Sequence, residues 1–233
     1  MKTLPEDIHK FDGVGPSHVY LLASDDGFTL IDTGIFYNRV IARIKQTGYA
    51  VTDLKTIVLT HAHFDHTGCA ARLSRDSGAK IFAHQDEVPY ITREKGLPTP
   101  SPLKLLIFRL FNRVIPRVLD LKHERDINKV DRLLKEGDIV DALGGLQVLR
   151  VPGHTPGSIA LYHPSRKILF CGDALTNKKK VRCSVWHAST DWDQAKDSAR
   201  KLSSYPTEVA YFGHGTPILE QAGEKIKEAI DQL

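Results

Sequence analysis

Thr60-His61-Ala62-His63-Phe64-Asp65-His66-Thr67-Gly68 is the stretch on which the reading of this chain turns. Three imidazoles and a carboxylate fall within six residues, directly after the apolar run Thr56–Leu59. That run has the length and composition of a short buried strand. Alternate residues of an extended segment point the same way, so His61 and His63 share a direction. Asp65 and His66 then turn toward a neighbouring position as the chain enters a helix. Neutral imidazoles with a carboxylate suit zinc, iron or manganese, whereas calcium prefers an all-oxygen cage. Histidines do collect by chance on solvated loops, but the density of this pattern right after a buried strand argues against that here.

Three more candidates stand far along the chain. His154 lies in the turn Val151-Pro152-Gly153-His154-Thr155-Pro156-Gly157, Asp173 ends Phe170-Cys171-Gly172-Asp173, and His214 sits in Tyr211-Phe212-Gly213-His214-Gly215. Each alone is an ordinary turn. Together they matter because each follows the C-terminal end of a predicted strand. Among competing arrangements, the sequence has no Gly-x-Ser-x-Gly elbow, no Walker loop and no Cys-x-x-Cys.

In their order and spread over nearly the whole chain, these motifs resemble those of the metallo-β-lactamase superfamily. The resemblance implies an α/β protein of the αβ/βα four-layer sandwich type, with two divalent metal ions at one edge. It assigns His61, His63 and His154 to one ion, Asp65, His66 and His214 to the other, and Asp173 to a bridge between them. Zinc is the first expectation, with iron or manganese as alternatives. Asp32, in Leu30-Ile31-Asp32-Thr33-Gly34, matches the family aspartate that holds a ligand histidine in place. His18 stands where the family often has asparagine. The implied chemistry is hydrolysis by a hydroxide shared between ions about 3.5–4 Å apart, with Asp65 as a proton shuttle. His9, His84, His123 and His163 are read as surface residues.

Outward from the motif, His18–Ala23 and Phe28–Asp32 flank Ser24-Asp25-Asp26-Gly27, a hairpin signal. Residues 38–47 space Val40, Ile41 and Ile44 as a helix, with Asn38 as cap and Gly48 as stop. A helix from Cys69 ending by Gly78, strands at Lys80–Ala83, Asp138–Val140 and Leu146–Val151, and a hairpin of Ile159–Tyr162 with Ile168–Cys171 follow. Helices over Asp191–Leu202 and Ile218–Ile230 enclose a strand at Glu208–Phe212. The whole reads as one domain over residues 1–233, with a helical insertion at about 97–135. Within it, 101–121 is predicted to form an amphipathic helix carrying Leu103 to Val114 on one face and Arg109, Arg113 and Arg117 beside it. A lid over the site is the favoured use; a homodimer contact and a membrane-surface helix are the others.

With 41% hydrophobic and 26% charged residues over 233 positions, the composition is ordinary globular. Net charge is +4; residues 104–135 hold nine Lys/Arg against four Asp/Glu, a net of +5, so the rest of the chain is near neutral. That basic stretch lacks a recognised RNA-binding motif, so nucleic acid is not the expected partner. Three widely spaced cysteines, Cys69, Cys171 and Cys183, suggest no disulfide framework. The start Met1-Lys2-Thr3-Leu4-Pro5-Glu6-Asp7 does not read as a secretory signal, and no run is long enough to span a membrane. The expectation is a cytoplasmic enzyme.

The expected substrate is a small molecule with an ester, lactone or thioester bond. Glyoxalase II enzymes carry a Gly- and Cys-rich stretch soon after the bridging aspartate; this chain has Ala174-Leu175-Thr176-Asn177-Lys178-Lys179-Lys180 instead. Lys178, Lys179 and Lys180 would favour an anionic or acylated substrate, and Trp186 and His187 are pocket-lining candidates. The alternatives are an oxidoreductase with one iron, like the superfamily's persulfide dioxygenases, and a phosphodiesterase or nuclease of the same superfamily.

Overall fold

The computed structural model describes residues 5–96 and 127–233. The predicted helix at 101–121, most of the insertion around it, and His123 lie outside the described residues. Strands β1 (Ile8–Phe11), β2 (Val19–Ser24), β3 (Gly27–Ile31), β4 (Leu54–Leu59), β5 (Lys80–His84) and β6 (Arg132–Leu134) form one sheet in sequence order. The first three are antiparallel, and β3 to β6 run parallel. A second sheet has the order β13-β10-β9-β8-β7, from β7 (Ile139–Val140), β8 (Leu146–Arg150), β9 (Ile159–His163), β10 (Ile168–Phe170) and β13 (Val209–Tyr211). Among its described strands, only β10 and β13 are parallel. β11 (Leu175–Asn177) and β12 (Val181–Cys183) make a separate hairpin.

Helices α1 (Tyr37–Gln46), α2 (Phe64–Thr67), α3 (Ala70–Ser77) and α4 (Val88–Ile91) go with the first sheet, α5 (Trp192–Ser203) and α6 (Ala222–Ile230) with the second. Three apolar clusters give the layering. Val40 and Ile44 of α1 and Leu73 of α3 pack on Leu21, Leu30 and Ile57 of the first sheet. Ala199 and Leu202 of α5 and Ile226 of α6 pack on Leu149 and Leu169 of the second. Tyr20, Ile31 and Val58 meet Val148, Leu161 and Phe170 between the sheets. Each strand sends alternate side chains to opposite faces, so both faces of both sheets are covered. The result is the expected αβ/βα sandwich.

Local signals hold where turn chemistry decides. The β2–β3 hairpin closes with Ser24 opposite Gly27. Gly78 is left-handed (φ 79°) and ends α3 through its N–H to the Ser74 carbonyl. Asp191 caps α5 by accepting the Gln194 N–H at 3.0 Å. Other boundaries move. Asn38 is exposed inside α1 rather than capping it; Phe36, itself held by its N–H to the Val14 carbonyl, starts that helix. The last helix begins at Ala222, because Ile218 forms a bridge with Ala210 of β13 instead. β1 and β6, one at each edge of the first sheet, and the β11–β12 hairpin have too few residues to show a pattern in the sequence alone.

Candidate metal centre

Every predicted ligand follows a strand at the same edge of the sandwich. The four-residue turn α2 carries Asp65 and His66 round after β4, as the motif implied, while His61 and His63 precede it. His154 follows β8, Asp173 follows β10 and His214 follows β13. Parallel β3, β4 and β10, β13 end on this edge, so their outgoing loops converge there.

Three overlapping groups of donor atoms lie within 4.8 Å of one another: His61, His63 and His154; His61, His66 and Asp173; and Asp65, His66 and His214. Asp173 stands between the first and last. Its Oδ2 is 3.5 Å from His154 Nε2 and 3.3 Å from His214 Nε2, and its Oδ1 is 3.5 Å from His66 Nε2. Gly213 permits this approach, since a Cβ there would meet His66 Cε1 at 2.8 Å and collide with Asp173 Oδ1. Five of the seven residues are buried; Asp65 and His214 are partly open, with side chains 24% and 11% exposed.

The imidazoles are oriented from behind. Asp32 accepts the Thr60 N–H at 2.8 Å, the Thr60 hydroxyl at 2.8 Å and His66 Nδ1 at 2.7 Å. Its left-handed backbone (φ 59°) is one that aspartate tolerates. The one proton of the Thr60 hydroxyl goes to Asp32, so its oxygen accepts from His61 Nδ1 at 3.0 Å. Ser184 Oγ meets His154 Nδ1 at 2.8 Å, and the Pro16 carbonyl accepts from His214 Nδ1 at 3.0 Å. Four imidazoles thereby turn Nε2 toward the centre. His63 presents Nδ1, 3.0 Å from His61 Nε2. His66 Nε2, His154 Nε2 and Asp173 Oδ1 are fully buried and have no hydrogen-bond partner among the described residues. Buried polar atoms are nearly always paired, so three orphans facing one another mark a place where cations belong.

Electrostatics divides the centre. Burial, with neighbouring imidazoles, holds His61 well below the ordinary histidine range. Burial and His154 bring His63 to about 3, and burial brings His154 to about 4. On the other side burial also pulls downward, but Asp173, Asp32 and Asp65 outweigh it and hold His66 well above the ordinary range. His214 is raised to about 9 because Asp173 and Asp65 overcome the same burial penalty. Burial pushes Asp65 and Asp173 up, and His66 and His214 more than reverse that, leaving Asp65 at about 2 and Asp173 well below the carboxylate range.

The substrate-side candidates are placed less tightly. Lys178, Lys179 and Lys180 are exposed in the turn of the β11–β12 hairpin. The hairpin leans on the His214 loop, through the Asn177 N–H to the His214 carbonyl at 3.1 Å. Trp186 is 56% exposed in the turn Trp186–Ala188, which also holds His187. Two histidines read as surface residues are buried: His163 because Nε2 bonds the Leu143 carbonyl at 2.8 Å, His84 because Nδ1 accepts the Asp86 N–H. His9 is half-buried on edge strand β1. Sequence reading missed Ser184, the partner of His154, and Glu87, which is wholly buried. Ser184 carried no signal. Glu87 did: it follows β5 at the edge where all the other site residues leave their strands.

The family model of the metallo-β-lactamase superfamily matches residues 12–214. The probable metallo-hydrolase YflN of Bacillus subtilis is 28% identical over 230 residues, covering 92% of this chain and 84% of that protein. Hydroxyacylglutathione hydrolase GloC of Haemophilus influenzae is 31% identical over 147 residues, 63% of this chain and 60% of that one. The crystal structure of TTHA1623 in a di-iron-bound form superposes with a TM-score of 0.66 at 27% identity, covering 90% of this chain and 92% of that one. With the fold, the convergent His/Asp groups and these matches in agreement, the chain belongs to the metallo-β-lactamase superfamily and is a metallo-hydrolase.

Proposed function

We propose that this enzyme hydrolyses an ester, lactone or thioester bond of a small molecule at a dinuclear centre. His61, His63 and His154 would hold one ion, Asp65, His66 and His214 the second, with Asp173 shared. The observation that carries this reading is the set of three buried, unpartnered donor atoms at the meeting point of seven ligand-type side chains. Zinc ions bound there supply Lewis acidity, lowering the pKa of a coordinated water to about 7 and polarising the substrate oxygen. The chain's own part is to present neutral imidazoles on one side and to gather carboxylates on the other. Asp32, Thr60, Ser184 and the Pro16 carbonyl fix the ring orientations, so little reorganisation is needed when ligands engage.

Asp65 is the residue we assign to proton delivery at the leaving group. Of the two central carboxylates it is the one open to solvent, at 24% exposure against 6% for Asp173. The exposed Lys178, Lys179 and Lys180 beside the His214 loop would draw an anionic or acylated substrate to this edge, with Trp186 and His187 as further lining candidates. The thioester option is supported by the named activity of GloC, although this chain lacks the Gly- and Cys-rich stretch of glyoxalase II enzymes. The di-iron form of TTHA1623 makes iron the alternative metal. The test combines metal analysis of the purified chain with a panel of lactones, thioesters and phosphodiesters. Two ions per chain and turnover of a carboxylic ester or thioester are expected. One iron per chain with no hydrolysis would overturn the proposal in favour of oxidoreductase chemistry.

A further inference from the structure

We propose that Glu87 is a positioning residue that clamps together the two loops carrying His61, His63 and His154, and so sets the affinity of the three-histidine group for its ion. The inference rests on the dinuclear reading above. Glu87 ends the 3-10 turn Gln85–Glu87 after β5 and is 0% exposed. Its two carboxylate oxygens serve different halves of the molecule. Oε2 accepts the N–H of Ala62, the residue between His61 and His63, at 2.7 Å. Oε1 accepts the N–H of Gly157, three residues past His154, at 2.6 Å. The nearby Thr155 side chain favours the charged form of the carboxylate as well.

The contact is close on both sides. A Cβ on Gly157 would meet Glu87 N and His84 Nδ1, each at 2.9 Å, so the His154 loop is pressed against this turn. Among the described residues, the strongest influences on the carboxylate are its burial, Thr155, the two amides and Asp86, and none of them is a cation. A buried carboxylate without a paired cation is costly unless its hydrogen bonds compensate, and here those bonds run to two separate loops. Divalent ions in the adjacent loops would offset that charge. A carboxylate is also the one side chain of this length that can accept at both ends. In glutamine, one of the two positions becomes an NH2 facing another N–H donor, so one loop is released and a buried amide is left unpaired. By contrast, the bridge from Asp86 to Arg150 at 3.0 Å braces the same loop from the surface, where such pairs contribute little.

Zinc affinities of metal-stripped wild type and Glu87→Gln, measured by chelator competition with folding checked by circular dichroism, test this directly. The three-histidine group is read in a His214→Ala background and the other group in a His154→Ala background. Glu87→Gln is expected to weaken the three-histidine group about 10- to 100-fold, the range for losing a ligand's support, and to leave the other group and the Asp86→Asn control unchanged. Equal affinities with and without the carboxylate, or equal losses in both groups, would overturn the inference. A wild-type chain that takes up no zinc would instead overturn the dinuclear reading. If the variant does not fold, amide exchange in the wild type decides. One clamp implies that Ala62 and Gly157 open together with the same protection, and clearly different protection would show that no such clamp exists.

Discussion

The two halves of the metal centre solve opposite electrostatic problems. The group of His61, His63 and His154 is a cluster of mutually repelling bases in a buried place, so it rejects protons and stays neutral far below pH 7. The group of Asp65, His66 and His214, joined by Asp173, gathers carboxylates round two imidazoles, so in the absence of metal it captures protons. One half is preorganised to receive a cation, whereas the other must exchange protons for it. The contrast shows that similar ligand types in one motif acquire different proton chemistry from what the tertiary fold places behind them.

Removing the residue common to both halves is the harshest way to break the comparison. Asp173→Ala takes away the shared carboxylate and is expected to cost more than about 10³-fold in kcat, beyond the loss of a single stabilising donor. Turnover on the preferred ester with zinc saturating measures this, and near-normal turnover would mean that the halves do not share Asp173. Next in size, the halves can be emptied separately. Atomic emission on the triple variant His61→Ala, His63→Ala, His154→Ala should find one ion per chain, as should His66→Ala with His214→Ala. Two ions in either would erase the distinction.

A sharper test is the pH dependence of loading. His214 titrates at about 9 and His66 is also raised, so near neutrality a metal must displace protons there. Zinc affinity of that half should fall as pH drops from 8.5 to 6. The three-histidine half, with His63 at about 3 and His154 at about 4, should hold a nearly constant affinity over the same range. Parallel slopes would remove the electrostatic difference.

A smaller effect is expected on the stability of the metal-free protein. Between the depressed values of His63 and His154 and the ordinary histidine value of about 6.5, the unfolded chain binds more protons than the folded one, so stability rises with pH. From about 6.5 to about 9 the folded chain binds more, through His214, and stability falls. Urea midpoints should therefore peak near pH 6.5, and zinc should abolish the upper decline. A midpoint that climbs steadily through pH 9 without metal would contradict the proton-capturing half. The smallest effect belongs to the periphery. Replacing Lys178, Lys179 and Lys180 with glutamine is expected to raise KM a few-fold for anionic substrates alone, since solvated charges are strongly screened. The same rise for neutral substrates would remove the lysines from substrate recognition.

What the sequence determined by itself is the inventory and the order. His61, His63, Asp65 and His66 stand so close together that local geometry alone brings them to one edge. His154, Asp173 and His214 could be paired with them because each follows a strand, and strand ends in such a sandwich converge. The hairpin at Gly27 and the helix stop at Gly78 were also legible, because those turns depend on nearest neighbours. What only the tertiary structure decided depends on residues distant in the chain. Whether His84 and His163 are buried, which ring nitrogen each ligand histidine offers, and why half of the centre holds protons all follow from partners such as Asp32, Ser184 and the Leu143 carbonyl. Glu87 is the plainest case: its two oxygens join Ala62 to Gly157, positions 95 apart, and no local pattern encodes a contact between loops that meet only when two sheets pack.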